Sequence, residues 1–548
     1  MVRWHELCTY GDLLVRGAER HPDRDAVVFP DQRVSYGDLD GRASDMARAL
    51  AAAGVDPGDH VGIVMANCPE LLDVMFGILY LGAVVVPIND RFKPRELAYV
   101  IDNADLVALV THRDRDSRTD HVRALYEALP GLAASADPRG LRLDAAPRLR
   151  AAAVIGTSAP GFLDDDALHE LAATVAPAVV EHRRRQVALR GVAMMFYTSG
   201  TTAMPKGCPL THEATVRCAF ETRDRLGWGE GDRVYDPLPM FHTAFTQPFG
   251  AILAAGGTYL TQRHFDPGEA MRLIEEEQAT LMFPAFPTIT QALLNHPDYR
   301  ESSFTRVRQI FNVAPPNLLR AMQAAMPYTT QVTAFGMTEF AGSVVMVDPA
   351  DDVDSRCDTQ GPPLPSLEVE IRDPDNRPLK PGQRGEIVAR GPTSFDGYYD
   401  DPVKTAETIE PDGWVHTGDL GELDERGRLL YQGRLKDMLK VGGENVAAIE
   451  IESYIANHPA VSICQVVGVP NAKYLEVPAA FVELKPGATA TADELIDFCR
   501  QGLAGFKVPR HVRFVEEWPM SATKVQKFRL RDELAAELES METAGVAR

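Results

Sequence analysis

The segment Tyr197-Thr-Ser-Gly-Thr-Thr-Ala-Met-Pro-Lys-Gly207 lies between an apolar run, 192–196, and a helical pattern that starts near His212. Its hydroxyl groups and glycines suit a loop whose backbone N–H groups approach a phosphate closely, and Lys206 adds a positive charge. The P-loop pattern GxxxxGK[ST] does not fit, because proline precedes and glycine follows the lysine. The segment therefore predicts a phosphate-binding loop of another type.

On both sides of this loop, short apolar strands alternate with helical stretches, which predicts parallel sheets covered by helices. The alternation covers the first 110 residues, gives way to predicted surface excursions over 112–190, and resumes from 192 to about 347. From Gly361 onward, short strands and Gly/Pro turns predict a small antiparallel barrel or sheet. The predicted elements before residue 112 are the helices 40–53, 69–81 and 94–102 and the strands 60–66, 84–88 and 106–111.

Length and composition exclude several classes of protein. At 548 residues the chain needs at least two cores, and 45% hydrophobic with 24% charged residues is typical of a globular protein. A net charge of -22 disfavours nucleic-acid partners, which bind mainly to basic residues. The most apolar stretch, 74–88, is shorter than the ~20 residues of a membrane span, so we expect a buried helix followed by a strand.

The cysteines and the first residues bear on the compartment. The seven cysteines contain no CxxC pair, which argues against a zinc site or a disulfide framework and favours a reducing compartment. The start of the chain lacks the pattern of a signal peptide. We therefore expect a cytoplasmic protein without a membrane span.

The loop of residues 197–207 resembles the phosphate-loop signature of the adenylate-forming enzymes, which include acyl-CoA synthetases, non-ribosomal adenylation domains and firefly-type luciferases. Further family motifs follow in the family's order, and the resemblance covers roughly residues 10–535. One departure is Ala203, where the family usually has glycine. The resemblance implies nucleotide binding by Thr198, Ser199, Gly200, Thr201, Thr202 and Lys206.

The segment Phe335-Gly-Met-Thr-Glu339 resembles the family's aromatic-Gly-x-Thr-Glu motif. The resemblance implies that Phe335 stacks on adenine beside Gly336, that Thr338 contacts phosphate, and that Glu339 and Thr202 bind Mg²⁺. A hard cation prefers such oxygen ligands.

Two further turns resemble the nucleotide site of the family. Thr417-Gly-Asp419 resembles the ribose-binding turn, in which a carboxylate accepts hydrogen bonds from both ribose hydroxyls, and Arg434 in the next strand is placed to assist. Ala314-Pro315-Pro316 resembles the turn that lines the adenine pocket, although the usual glycines are absent.

The C-terminal part resembles the family's mobile lid. Gly433-Arg-Leu-Lys-Asp437 matches the junction, with Lys436 at the hinge position. Lys440 is implied in nucleotide binding, and Gly442 and Gly443 after it are implied to line the pantetheine tunnel for CoA, although a Gly-Gly turn between strands is the structural alternative. Lys524 aligns with the adenylation lysine. Thr523 replaces a family glycine there, which leaves Lys527 as the competing residue.

The resemblance places His242, in Leu238-Pro-Met-Phe-His242, beside the acyl carbonyl, where it would gate or orient the acyl group rather than act as a general base. The alternative is a core histidine with a backbone partner. The acyl pocket is expected to be mainly apolar, without Lys or Arg for a second carboxylate, which favours a hydrophobic or aromatic monocarboxylic acid. Its expected lining residues are Phe241, Phe286, Thr333, Ala334 and Met346.

The resemblance implies an α/β fold: a large N-terminal domain, 1–433, with two helix-covered sheets and a small β-barrel, a hinge at 434–437, and a mobile α+β lid, 438–548. It also implies an acyl-CoA ligase with ATP, Mg²⁺ and coenzyme A as cofactors, in which acyl-AMP forms first and its acyl group then passes to CoA. A homodimer is left open as the oligomeric state.

Three alternatives to a CoA ligase stay open at this point. The acyl group could pass to a carrier-protein phosphopantetheine, although we expect no carrier domain because the chain ends soon after Lys524. A luciferase-type oxidase would share every motif. An inactive nucleotide-binding protein is disfavoured because Lys524, Glu339 and Asp419 are all retained.

Overall fold

The computed structural model describes residues 8–113, 119–198, 204–441, 444–471, 474–520 and 525–543. In these ranges the chain forms 24 strands and 17 α-helices. The strands are β1 (Asp25–Val28), β2 (Arg33–Ser35), β3 (His60–Val64), β4 (Val84–Pro87), β5 (Leu106–His112), β6 (Ala151–Ile155), β7 (Val192–Thr198), β8 (Lys206–Thr211), β9 (Arg233–Tyr235), β10 (Thr258–Leu260), β11 (Leu281–Ala285), β12 (Gln309–Asn312), β13 (Thr330–Val332), β14 (Ala334–Met337), β15 (Gly342–Met346), β16 (Glu368–Arg372), β17 (Gly385–Arg390), β18 (Val415–Leu423), β19 (Leu429–Arg434), β20 (Met438–Val441), β21 (Glu444–Ala447), β22 (Val461–Asn471), β23 (Leu475–Leu484) and β24 (His511–Phe514).

The helices connect these strands and cover the sheets. They are α1 (Tyr10–Arg20), α2 (Tyr36–Ala52), α3 (Pro69–Tyr80), α4 (Pro94–Asn103), α5 (His121–Ala128), α6 (Asp165–Thr174), α7 (Pro177–Arg185), α8 (His212–Leu226), α9 (Thr243–Ala255), α10 (Pro267–Glu276), α11 (Pro287–Leu294), α12 (Pro316–Ala325), α13 (Val353–Asp358), α14 (Pro402–Thr408), α15 (Ala448–Ile455), α16 (Ala492–Gly502) and α17 (Lys527–Thr543). In the described part of the chain, no helix is long and apolar enough to cross a membrane.

The chain divides into two compact units. The first comprises Met1–Ala314, Leu318–Glu368 and Arg390–Val415, and the second comprises Pro315–Asn317, Val369–Ala389 and His416–Arg548. The segments 369–389 and 416–433 thus belong to the same unit as the C-terminal residues. The sequence instead predicts a functional boundary at residues 434–437. The hinge at 434–437 stays a prediction.

The first unit contains two sheets covered by helices, which confirms the predicted α/β class. One has the order β6-β5-β3-β4-β7-β8, in which every neighbouring pair is parallel except β7 and β8. The other has the order β13-β12-β11-β9-β10-β1-β2 and is parallel except for β1 with β2. Helices α2 and α3 pack closely together, because a Cβ at Gly77 would lie 3.0 Å from the backbone nitrogen of Ala47.

All six elements predicted before residue 112 are present. Helix α3 is buried at all but one of its positions, because apolar side chains fill most of its length from residue 74 onward, and β4 follows it. The prediction of surface excursions over 112–190 is partly wrong. That stretch contains β6, whose side chains are mainly alanine and which extends the six-stranded sheet as a parallel edge strand.

The second unit contains a four-stranded sheet and a five-stranded sheet. The four-stranded sheet has the order β16-β17-β18-β19 and corresponds to the predicted small barrel or sheet. In the five-stranded sheet, β20 to β23 form the path β21-β20-β23-β22 and β24 pairs with β23 in parallel. Its core joins α15 and α16 to β22 and β23 through buried residues such as Ile451, Val466, Val482 and Leu495.

Candidate active site

The predicted phosphate loop is the loop of a β-hairpin. Strands β7 and β8 are antiparallel, with Thr198 opposite Lys206. The helix predicted from about His212 is confirmed, because α8 begins at that residue, and the strand β8, which was not predicted, lies between the loop and this helix. The predicted residues Ser199, Gly200, Thr201 and Thr202, and the departure Ala203, lie outside the described residues.

Lys206 lies beside one acidic and one aromatic side chain of the first unit. Its Nζ lies 3.7 Å from Oδ2 of Asp401 and 5.6 Å from the centre of the Tyr398 ring. About a fifth of the Lys206 side chain is exposed, at 22%. The ammonium group of Lys206 lies at the end of this hairpin. Because its ion pair with Asp401 is long, this group can also bind an anion.

The motif of residues 335–339 forms one side of a second hairpin, β14–β15. Phe335 is buried, and Thr338 and Glu339 lie in a 3-10 turn between the strands. Gly336 must be glycine, because a Cβ there would lie 2.0 Å from the carbonyl oxygen of Gly342. The structure therefore presents Thr338 and Glu339 from one tight turn.

Glu339 is buried and has no cationic side chain beside it in the described part of the chain, where its carboxylate accepts only the hydroxyl of Tyr398, at 2.6 Å. Burial, followed by the charge of Glu339, raises the pKa of the Tyr398 phenol well above its ordinary value, so the phenol is the donor. Mg²⁺ is often bound by one or two carboxylates together with substrate phosphates. Among the described residues no cluster of three or more metal-binding side chains occurs, and a buried carboxylate without a cation suits a Mg²⁺ shared with ATP.

His242 precedes α9 and caps its N-terminus. Its Nδ1 accepts the backbone N–H of Ala244 at 3.2 Å, so the neutral ring carries its proton on Nε2. The preceding segment is fixed by Asn67, whose side chain donates to the carbonyl of Leu238 at 2.9 Å and accepts the N–H of Met240 at 2.8 Å. Both interpretations of this histidine keep support: it has a backbone partner, and it is only half-buried.

The predicted acyl-pocket residues lie at three places in the first unit. Ala334 and Met346 are paired across β14 and β15, and with Thr333 they are no more than 2% exposed. Phe286 is half-buried at the start of α11 and follows Ala285, whose φ is 54°. Phe241 is half-buried next to His242. The two phenylalanines are therefore the members of this set that are not fully buried.

The predicted ribose-binding turn lies in the second unit. Asp419 on β18 is the direct cross-strand partner of Arg434 on β19, with 3.6 Å between Oδ1 and Nε. The hydroxyl of Thr417 accepts the N–H of Asp419 and donates to the carbonyl of Ile387, and Gly418 has a φ of 71°. The turn thus fixes a largely buried carboxylate beside a guanidinium.

The remaining predicted residues are placed as follows. Ala314 packs against the buried cluster of Leu319, Met322 and Cys357, and Pro315 directly precedes α12. Lys436 lies in the 3-10 turn Leu435–Asp437, and Lys440 is exposed on β20. Strands β20 and β21 pair antiparallel up to Val441 and Glu444. Gly442, Gly443 and Lys524 lie outside the described residues.

Sequence reasoning missed two residues that organise this region, Asn67 and Tyr398. Asn67 follows β3 and hydrogen-bonds a segment more than 170 positions away, and Tyr398 contacts Glu339 across 59 positions. The only local signal for Tyr398 is its neighbour Gly397, whose φ of 141° and close contact with Thr405 indicate a constrained turn.

The site and fold match proteins of known class. The family model described as AMP-binding enzyme matches residues 14–399, and the model of its C-terminal domain matches residues 450–524. A methyl-dioxo-octahydroindenyl-propanoyl:CoA ligase of Rhodococcus jostii (strain RHA1) is 35% identical over 539 residues, which are 96% of this chain and 98% of the relative. Feruloyl-CoA synthase of an Amycolatopsis species is 32% identical over 532 residues, which are 95% and 98% of the two chains.

A solved structure shows the same fold. The anthranilate CoA ligase AuaEII, crystallised with anthranoyl-AMP, superposes with a TM-score of 0.85 at 26% identity, over 97% of this chain and 98% of its own. The chain belongs to the family of AMP-binding enzymes. It is an acyl-CoA ligase, which uses ATP to convert a carboxylic acid to acyl-AMP and then transfers the acyl group to coenzyme A.

Proposed function

We propose that the substrate is a hydrophobic or aromatic monocarboxylic acid. The observation that carries this proposal is the apolar character of the predicted pocket residues, of which Phe241 and Phe286 are only half-buried. No Lys or Arg stands among them to pair a second carboxylate, and an unpaired charge in such surroundings is costly. The ring-containing acids in the names of the three relatives support the same class.

For the nucleotide, we propose that Lys206 and Thr338 bind the phosphates, that Phe335 and Ala314-Pro315 contact adenine, and that Asp419 with Arg434 binds the ribose. Residues 198–202 and Lys440 complete the proposed set. The Mg²⁺ that Glu339 and Thr202 would hold neutralises phosphate charge when it is bound. This assignment is supported by the buried carboxylate of Glu339, which pairs with no Lys or Arg among the described residues, and by the carboxylate of Asp419 beside Arg434.

In the first half-reaction, the substrate carboxylate attacks the α-phosphate of ATP and pyrophosphate leaves. Lys524 and Lys206 are proposed to stabilise the charge that develops on the phosphate oxygens, because fixed cations act most strongly on charge formed in the transition state. In the second, the thiol of coenzyme A attacks the acyl carbonyl and AMP leaves. His242, whose Nδ1 caps α9, would orient the acyl group.

We further propose that the lid 438–548 turns about Lys436 in the hinge 434–437. This turn would withdraw Lys524 and present Gly442-Gly443 to the pantetheine. Such gating steps limit many turnover rates. For the cell, we propose a cytoplasmic location, which the seven free and buried cysteines support. A homodimer stays open and is tested by light scattering of the purified protein.

A matched pair of acids tests the substrate class. Octanoate and suberate have the same number of carbons, and only suberate carries a second carboxylate. We expect kcat/KM for octanoate to exceed that for suberate by about a hundredfold, because burying the second charge is costly. Equal values would overturn the proposed pocket and leave the ligase activity intact.

A further inference from the structure

The phenol of Tyr398 is aimed at the carboxylate that we assign to metal binding. Its hydroxyl donates to Oε1 of Glu339 at 2.6 Å, and the hydroxyl of the buried Thr408 is near enough to the phenol to oppose the rise in its pKa. Phe395 packs edge-on against the Tyr398 ring, with 4.9 Å between the ring centres. The orientation of the phenol is therefore set by its hydrogen bond to Glu339 and by a neighbouring ring.

The backbone around Tyr398 joins the two predicted ATP-binding hairpins of the first unit. The N–H of Phe395 donates to the carbonyl of Glu339 at 2.8 Å, and the N–H of Tyr399 donates to the carbonyl of Gly207 at 2.9 Å. Gly207 allows this close approach, because a Cβ there would lie only 3.1 Å from side-chain atoms of both Met195 and Tyr399. The segment 395–399 is thus fixed at both ends, and the Tyr398 ring lies between Lys206 and Glu339.

The surroundings of Glu339 explain what the phenol contributes. Within the described part of the chain, the phenol is the only side chain that hydrogen-bonds to this carboxylate, and no Lys or Arg pairs with it. A donor on Oε1 fixes the rotation of the carboxylate and leaves Oε2 for another ligand. Partners of this kind orient metal-binding carboxylates, and their removal commonly costs about 10- to 100-fold in metal affinity.

We propose that Tyr398 is a positioning residue that holds Glu339 in the orientation needed to bind the divalent cation that accompanies ATP. The proposal rests on the assignment of Glu339 under the proposed function. It predicts that loss of the phenol hydroxyl weakens binding of the cation and leaves nucleotide binding in the absence of metal unchanged.

The test compares Tyr398→Phe with Tyr399→Phe, which loses the same hydroxyl one position away. The Tyr399 hydroxyl donates to Asp105 at 2.8 Å and not to Glu339, so Tyr399→Phe is a matched control. Mn²⁺ is titrated into each protein with the non-reacting α,β-methylene analogue of ATP, and bound metal is counted by electron paramagnetic resonance. Calorimetry in EDTA gives the affinity for the analogue without metal.

We expect Tyr398→Phe to raise the Mn²⁺ dissociation constant about tenfold, and Tyr399→Phe to leave it within twofold. Affinity without metal is expected to be the same in all three proteins. Equal Mn²⁺ constants in Tyr398→Phe and Tyr399→Phe would overturn the proposal. If Glu339→Gln also bound Mn²⁺ as the wild type does, the metal assignment of Glu339 itself would fail, which separates the two claims.

A second variant keeps the proposal testable if Tyr398→Phe does not fold. Thr408→Val removes the neighbouring hydroxyl that acts on the phenol and leaves the Tyr398 ring in place. We expect this substitution to raise the Mn²⁺ dissociation constant by about threefold. A folded Thr408→Val protein with the wild-type constant would show that the orientation of the phenol does not matter for the metal.

Discussion

Lys527 donates a hydrogen bond to the buried carboxylate of Glu452, with 2.6 Å between Nζ and Oε1. The same ammonium lies 3.9 Å from Oδ2 of Asp437, and Glu452 also accepts the N–H of Val466 at 2.7 Å. Lys527 is therefore bound within the second unit. This arrangement favours Lys524 over Lys527 as the adenylation lysine.

Replacement of Lys524 by alanine is predicted to abolish one half-reaction, whereas replacement of Lys527 is predicted to lower stability. Lys524→Ala abolishes acid-dependent pyrophosphate release and retains thioester formation from supplied acyl-AMP. Lys527→Ala leaves the Glu452 carboxylate unpaired and costs about 2 kcal/mol of stability, less than for a fully buried pair because Lys527 is partly exposed. Both half-reactions and the melting temperature are measured. Loss of adenylation in Lys527→Ala, with activity kept in Lys524→Ala, would reverse the assignment.

Asp419 is predicted to recognise the ribose hydroxyls. The wild type should use 3′-deoxy-ATP at least about tenfold less efficiently than ATP, because a hydrogen bond to a charged group is lost. Asp419→Ala should raise the KM for ATP and should no longer distinguish the two nucleotides. Glu422→Gln, on the same strand, is the control and should discriminate as the wild type does. Discrimination that survives in Asp419→Ala would place the ribose elsewhere.

His242 is predicted to combine a helix cap with orientation of the acyl group, and two variants separate these roles. His242→Ala loses the cap and about 1 kcal/mol of stability. His242→Asn keeps an acceptor for the N–H of Ala244 and should recover most of that stability, yet both variants should transfer acyl groups to CoA slowly. Thermal melts and single-turnover transfer from acyl-AMP are compared. Wild-type transfer in His242→Asn would leave this histidine with a cap role only.

His212 is predicted to make the protein less stable in acid. Burial lowers its pKa to about 4, and its Nδ1 accepts the N–H of Tyr10 at 3.2 Å. The unfolded chain, with a histidine pKa of about 6.5, binds a proton in the window from pH 6.5 to 4 that the native chain does not bind. Stability is therefore complete above pH 6.5 and falls by about 1.4 kcal/mol per pH unit within that window.

The matched variant for this prediction is His212→Asn, whose side-chain oxygen can accept the same N–H and does not titrate. Urea unfolding between pH 4.5 and 8 should give a shallower acid-side slope in His212→Asn than in the wild type, by close to one proton. Parallel slopes in the two proteins would show that His212 does not titrate between the folded and unfolded states in this range.

The local sequence pattern was enough to predict a helix or strand where a single physical cause, such as a run of apolar residues, determines it. The apolar run 74–88 predicted a buried helix followed by a strand, and both are present as the end of α3 and β4. Strand β8 was not predicted, because Lys206 and Pro209 interrupt the usual strand composition. Strand β6 was not predicted, because its alanines carry little strand preference.

The contacts of the site could not be predicted from local pattern, since they join distant residues. Nothing near Tyr398 signals Glu339, and nothing near Asn67 signals the segment before His242. The helix cap formed by His242 could not be predicted from the sequence either, because histidine is not among the residues that usually cap helices. Family resemblance supplied the identity of the site residues, and the fold supplied the residues that orient them.

Transfer to free coenzyme A is the central claim, and an acid panel with ATP, with and without CoA, tests it most directly. Pyrophosphate release is recorded together with acyl-CoA by mass spectrometry. We predict that CoA accelerates turnover with the preferred acid and that one acyl-CoA forms for each pyrophosphate released. Acid-dependent pyrophosphate release without consumption of CoA for any acid, while a carrier-protein phosphopantetheine is acylated, would contradict the account.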